Sequence, residues 1–190
     1  AQVSGTVILV PLVNRASFDQ KVVHVNPVDG KSMNRFYPGK ADGTQTERAS
    51  YLITKEVVEK CDHLIDLHGG DLDESLRPYS YWTVTGRAEQ DRVSREMVLA
   101  FGLDRIVMDT ERPTDPAQSV YCSTTATTRG KPAITIESGG LGATDNESVE
   151  RIERGVMSVM RHLKMIEGQP RTVEYPMFID RSAVLGGDEA

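Results

Sequence analysis

Residues 63–70 read HLIDLHGG, an apolar run that carries a histidine to its end and breaks at once on two glycines. The run has the composition of a strand, and paired glycines are a turn signal. Residues 132–140 repeat the arrangement as PAITIESGG, with Glu137 standing where the first run has His68. Ligands of α/β sheets gather outside the carboxyl ends of the strands. Two strands that each finish in a chemically able side chain followed by Gly-Gly therefore point to one such sheet, and to its ligand-binding end.

Outward from these strands the chain alternates. GTVILVPLV (5–13) is a continuous β-branched run, the pattern of a strand buried on both faces, and is expected at the centre of the sheet. Residues 14–43 lose periodicity and form a long loop that still holds Arg35, Phe36 and Tyr37, so it is expected to be a structured, functional one. TQTERASYLITKEVVEKC (44–61) opens with the Thr44 to Glu47 spacing of a capping box and predicts a helix. A strand at YSYWTV (79–84), a helix at AEQDRVSREMVLAF (88–101) closed by Gly102, and a strand at RIVM (105–108) follow. The helix expected over 145–166 has acids early, bases late, apolar residues at helical spacing and Asn146 as its cap; RTVEYPMFI (171–179) reads as a last strand. The fold class is α/β: a three-layer sandwich with a mixed, largely parallel central sheet.

Composition narrows the function. At 190 residues and 21.0 kDa, with 38% hydrophobic and 26% charged residues, the chain has the make-up of a single globular domain. A net charge of −6 with scattered Lys and Arg gives a nucleic-acid backbone nothing to bind. No apolar run approaches the roughly 20 residues that cross a bilayer, and the start AQVSG has no signal-like segment, so no membrane partner and a cytoplasmic location are expected. Cys61 and Cys122 lack C-x-x-C spacing and are expected to be small buried apolar residues rather than a disulfide or thiolate site. Homo-oligomer formation is left open.

The chemistry concentrates in three places. A neutral imidazole such as His68 is a common zinc ligand, and a carboxylate such as Glu137 beside a metal-bound water acts as its general base. The glycine pairs are expected to clear room for substrate. The competing reading makes His68 a hydrogen-bonded structural residue and Glu137 a surface one. In NRFYPG (34–39), the Arg35 fork next to the Asn34 amide suits a planar carboxylate; a pairing of Arg35 with Asp29 that staples the loop is the other reading, and both can hold.

The ordered set GTVILVPLVN, NPVDG with MNRFYPG, IDLHGG and KPAITIESGG resembles the succinylglutamate desuccinylase and aspartoacylase family of zinc-dependent deacylases, over nearly the whole chain. The resemblance implies a metallocarboxypeptidase-like fold and a zinc cofactor. It makes His68 the last metal ligand, Glu137 the catalytic glutamate, Asn34 and Arg35 the grip on the substrate carboxylate, and Arg129 a residue acting on the substrate or its oxyanion. Asp66 or Asp71 would then orient His68 from behind. The family's first two ligands come from a His-x-x-Glu motif that this sequence lacks, and His24, His63 and His162 fit no replacement pattern. Residues 1–180 are therefore expected to be a catalytic domain without its amino-terminal part, and 181–190 the start of a linker to a carboxyl-terminal β domain. The implied function is zinc-dependent removal of an acyl group from an N-acyl amino acid or related small carboxylate. The alternatives are a zinc carboxypeptidase acting on peptides, or a non-catalytic binding module or fragment without zinc. A phosphate site at SGGLG ranks last, since it lacks the P-loop Lys and the G-x-G-x-x-G pattern.

Overall fold

The structure, a computed structural model, describes residues 2–181. In chain order its elements are α1 (Arg15–Gln20), a short 3₁₀ turn (Met33–Arg35), α2 (Gln45–Ile53) running into a π-helical turn (Thr54–Val58), β1 (Leu64–His68), β2 (Tyr79–Thr83), α3 (Ala88–Phe101), β3 (Arg105–Asp109), a 3₁₀ turn (Pro116–Gln118), α4 (Cys122–Thr128), β4 (Ala133–Glu137), α5 (Asn146–His162) and β5 (Met177–Asp180). Two compact units divide these elements. One holds the described residues up to Thr6, Ile65–Glu111 and the described residues from Pro132 onward, and the other holds Val7–Leu64 and Arg112–Lys131.

The sheet belongs to the first unit. Its strands lie in the order β1-β4-β2-β3-β5, with β2 parallel to β3, β3 parallel to β5, and β4 antiparallel to β2. This is the expected mixed, largely parallel α/β sheet with flanking helices. Ala133, Ile134, Thr135 and Ile136 of β4 are all buried, the mark of a strand covered on both faces, and only Glu137 at its end is less so. Trp82, Met97, Val98, Phe101, Ile106, Ile134, Ile136 and Val159 join in one core. Helix α3 supplies Met97, Val98 and Phe101 to it and also buries Gln90 and Ser94, at helical spacing, which is why this stretch folds as an amphipathic helix against the sheet. Gly155 lets α5 lie close to α3: a β-carbon there would stand 2.4 Å from the Phe101 ring. Asp145, one residue before the expected Asn146, caps α5 by accepting from the Ser148 N–H at 2.8 Å.

In the second unit the expected capping box is present, with the Glu47 carboxylate accepting from the Thr44 N–H at 2.8 Å. Helix α2 stops at Ile53, earlier than periodicity suggests, and the chain continues as a π turn. Asp29 does not pair with Arg35. It accepts instead from the Thr46 N–H and hydroxyl, both at 2.8 Å, and from the Lys31 N–H at 3.2 Å, stapling the long loop to the start of α2. Burial alone would raise the Asp29 carboxyl, but these donors, with the Thr44 hydroxyl, outweigh it and bring the group down to about 2.

The run GTVILVPLV departs most from expectation. Among the described residues no strand pairs with it, and Val7 and Leu9 are 53% and 76% exposed. The physical reason is that a doubly buried strand needs a neighbour on each side, and the inner places of this sheet are taken by β4, β2 and β3. β-branched composition registers a demand for burial without supplying the partner. Of the expected linker at 181–190, all but Arg181 lies outside the described residues. No helix among the described residues is long and apolar enough to cross a membrane.

Candidate functional site

Strands β1 and β4 are neighbours, so their last residues, His68 and Glu137, come to the same end of the sheet. The Ser138 N–H donates to the His68 carbonyl at 3.0 Å and the Gly70 N–H to the Gly139 carbonyl at 2.9 Å, which ties the two strand ends together. Gly70 and Gly140, the second glycine of each pair, have a packing reason. A β-carbon on Gly70 would meet the Glu74 carbonyl oxygen at 2.7 Å, and one on Gly140 would meet the same oxygen at 2.8 Å. The Leu141 N–H bonds to that oxygen as well, also at 2.8 Å. Only glycine lets the two strand ends close on this loop.

Asp66, two residues before His68, projects from the same face of β1, and its Oδ1 stands 3.2 Å from His68 Nε2. A neutral His68 donating from Nε2 to Asp66 carries its acceptor lone pair on Nδ1. Burial is the main influence on Glu137 and lifts its carboxyl above the usual carboxylate range. A charged His68 pulls it down, whereas Asp66, Glu74 and Asp71 push it further up. Tyr79 lies opposite Glu137 in the antiparallel pairing, its phenol pushed up to about 12 by burial and next by the Glu137 charge. A half-buried acid poised toward the neutral form beside a histidine is suited to moving protons.

Zinc is less well provided for. A catalytic zinc takes three protein ligands, and among the described residues no group of three or more His, Cys, Asp or Glu is placed to hold a metal ion. His68 with Asp66 behind it has the form of one ligand and its orienting carboxylate; by themselves the described residues do not make a complete site.

Asn34 and Arg35 belong to the second unit. Met33 and Tyr37, 8% and 5% exposed, anchor their loop from either side, and the Tyr37–Pro38 peptide is cis. Tyr37 exchanges two backbone hydrogen bonds with Val120, at 2.9 and 3.2 Å, which brings the loop to the start of α4. There the Asn34 Oδ1 accepts from the Cys122 N–H at 3.2 Å, so this amide fixes backbone. The Arg35 guanidinium donates to the Asn34 carbonyl at 2.7 Å and lies 5.0 Å from the centre of the Tyr121 ring. Arg129, at the other end of α4, donates to the Thr125 and Pro116 carbonyls at 3.1 and 3.3 Å and has Glu59 3.6 Å away.

Two residues here escaped the sequence reading. Tyr121 carries Arg35 on its ring, and Arg112 stands over the same ring at 4.1 Å. The signal was faint: SVYC (119–122) has neither a motif nor a period, and only the bridge to Tyr37 gives it a place. Cys61 and Cys122 are not joined in a disulfide and are half-buried rather than fully so.

Residues 1–163 match the succinylglutamate desuccinylase/aspartoacylase catalytic domain. An N-alpha-acetyl-L-2,4-diaminobutyric acid deacetylase of Halomonas elongata is 31% identical over 174 residues, which cover 92% of this chain and 49% of that protein. Among solved structures, a succinylglutamate desuccinylase/aspartoacylase from Rhodobacter sphaeroides superposes with a TM-score of 0.82 at 24% identity, covering 94% of this chain and 54% of the other. The product-bound ectoine utilization protein EutE (DoeB) from Ruegeria pomeroyi does so with a TM-score of 0.82 at 22% identity, covering 94% and 53%. The chain spans about half the length of the relatives it matches. It belongs to the succinylglutamate desuccinylase/aspartoacylase family.

Proposed function

We propose that this protein hydrolyses the amide bond of a small N-acyl amino acid, releasing the acyl group and the free amine. The observation that carries the reading is the meeting of His68 and Glu137 at neighbouring strand ends, with the Glu137 carboxyl held above its ordinary range by burial. The deacetylase relative in Halomonas elongata, whose name specifies an acetylated diamino acid, supports the substrate class.

Glu137 takes the proton of the attacking water and passes it to the leaving nitrogen, two transfers suited to a carboxyl that burial lifts above its ordinary range. Arg35 pairs with the substrate carboxylate, and Asn34 keeps the Arg35 loop fixed to the Cys122 backbone. Arg129, steadied by the Thr125 and Pro116 carbonyls, is assigned to the oxyanion, where one such donor contributes ~3 kcal/mol. Zinc dependence is part of the proposal: a bound zinc would acidify the water, and His68 would be one of its ligands.

Glu137→Gln tests the reading. Turnover of an N-acetyl amino acid should fall by at least ~10²-fold while metal content stays unchanged, since general acid–base groups contribute roughly 10²–10⁴. Turnover retained in this variant sinks the assignment, and a wild-type enzyme that is equally active after exhaustive chelation sinks the zinc dependence.

A further inference from the structure

The carboxyl end of β4 runs straight into irregular chain. Soon after Glu137, Gly139, Leu141 and Gly142 take positive φ, at +98°, +56° and +61°, so no regular element continues the strand. Ser138 is the joint between strand and turn, and it is only 5% exposed. Its N–H donates to the His68 carbonyl at 3.0 Å, and its hydroxyl oxygen accepts from Nη1 of Arg151 at 3.2 Å. One residue thus ties the end of β4 both to β1 and to α5.

Arg151 is itself held in place. Its Nη2 donates to the Glu147 carboxylate, one turn earlier on α5, at 2.5 Å, and its Nη1 lies 3.5 Å from the Ser148 hydroxyl. The Glu147 side chain is 78% exposed and that of Arg151 only 21%, so a surface carboxylate grips the outer side of a guanidinium whose inner side meets Ser138. An exposed pair of this spacing contributes little by itself. A guanidinium drawn largely out of water needs acceptors for its inner donors, and Ser138 supplies one from outside α5.

Side chains alternate along a strand, so Ser138 shares a side with Ile136 while Glu137 faces the other way. Ile136 and Val159 of α5 belong to one core, which puts Arg151 on the helix-covered side, behind Glu137. Its route to Glu137 is therefore the backbone. We infer that Arg151 is a positioning residue for the His68–Glu137 pair: it holds Ser138, and Ser138 holds the two strand ends together. The inference rests on the proposed function for the roles of His68 and Glu137, and it adds a residue that touches no substrate.

Amide hydrogen exchange in the full protein, followed by NMR, reads this joint without turnover. Arg151→Met keeps an apolar stem and removes the donors; it should speed exchange of the Ser138 amide roughly tenfold, as loss of a charge-assisted hydrogen bond would, and leave the Ile134 and Ile136 amides unchanged. Ser138→Ala should do the same, and the double variant should be no worse than either alone. Arg154→Met, which breaks a surface pair with Glu150 on the same helix, should change neither readout. With an N-acetyl amino acid as substrate, Arg151→Met and Ser138→Ala should each lower kcat about tenfold and keep KM within about twofold, a split that mere loss of stability does not produce. Ser138 exchange that stays at the wild-type rate overturns the inference, read from Ser138→Ala alone if Arg151→Met does not fold. So does a loss carried by KM, or a double variant whose effects multiply. Unchanged kcat in a variant with a loosened Ser138 amide refutes the inference and leaves the proposed reaction standing, whereas a loosened amide in a protein whose wild type has no turnover supports the clamp and refutes the reaction.

Discussion

Glu137 is the residue at which stability and proposed chemistry conflict. Its folded pKa is raised, first of all by burial, so the native state binds its proton more readily than the unfolded chain does. The sign follows from that difference. Below the unfolded value, near 4.3, both states are protonated and Glu137 costs nothing; as pH rises through the folded value the buried charge appears and native stability falls. Glu137→Gln removes the charge and should melt higher than wild type at pH 7 but not at pH 3.5, a comparison that thermal unfolding at the two pH values makes directly. Equal melting points at pH 7 would mean that Glu137 carries no such strain. His68 and Glu137 were legible in the sequence because both end an apolar strand and precede Gly-Gly, a purely local signature. Tyr121 and Arg112 were not, because what joins them to Arg35 is a backbone bridge between Tyr37 and Val120, a long-range pairing that leaves no period or motif.

Individual elements show the same division. The capping box at Thr44 and Glu47 and the amphipathic α3 follow from spacing alone. The cap of α5 fell one residue from expectation because Asp145 and Asn146 are both able caps and only the backbone decides between them. The run at 5–13 was misplaced because apolar composition specifies burial but not the neighbour that provides it. Gly155 presents a different contest. Glycine within a helix normally costs ~0.5–1 kcal/mol relative to alanine, so Gly155→Ala would stabilise an exposed α5. Here the new methyl meets the fully buried Phe101 ring at 2.4 Å, and overpacking of about 1–3 kcal/mol prevails. Urea denaturation should therefore show a net loss, and a gain would mean that α3 and α5 separate easily.

At the scale of the whole molecule, the exposed Val7–Val13 run is a patch on an acidic chain of pI about 5.3, where net charge ceases to keep copies apart as the pH nears that value. Leu9→Asp alters a side chain that is 76% exposed, so it should leave the melting point nearly unchanged while lowering light scattering at pH 5.5. A variant that scatters as strongly as wild type would place the adhesive surface elsewhere.

The order β1-β4-β2-β3-β5 also has a meaning in time. β2, β3 and the helix between them are consecutive in the chain and close short loops, whereas the bond from Ser138 to His68 spans 70 positions and the pairing of β4 with β2 closes a loop almost as long. Long closures are entropically dear and form late. During refolding, His68 and Glu137 should therefore meet after most helical signal has returned. Until that closure the two reactive side chains are still apart.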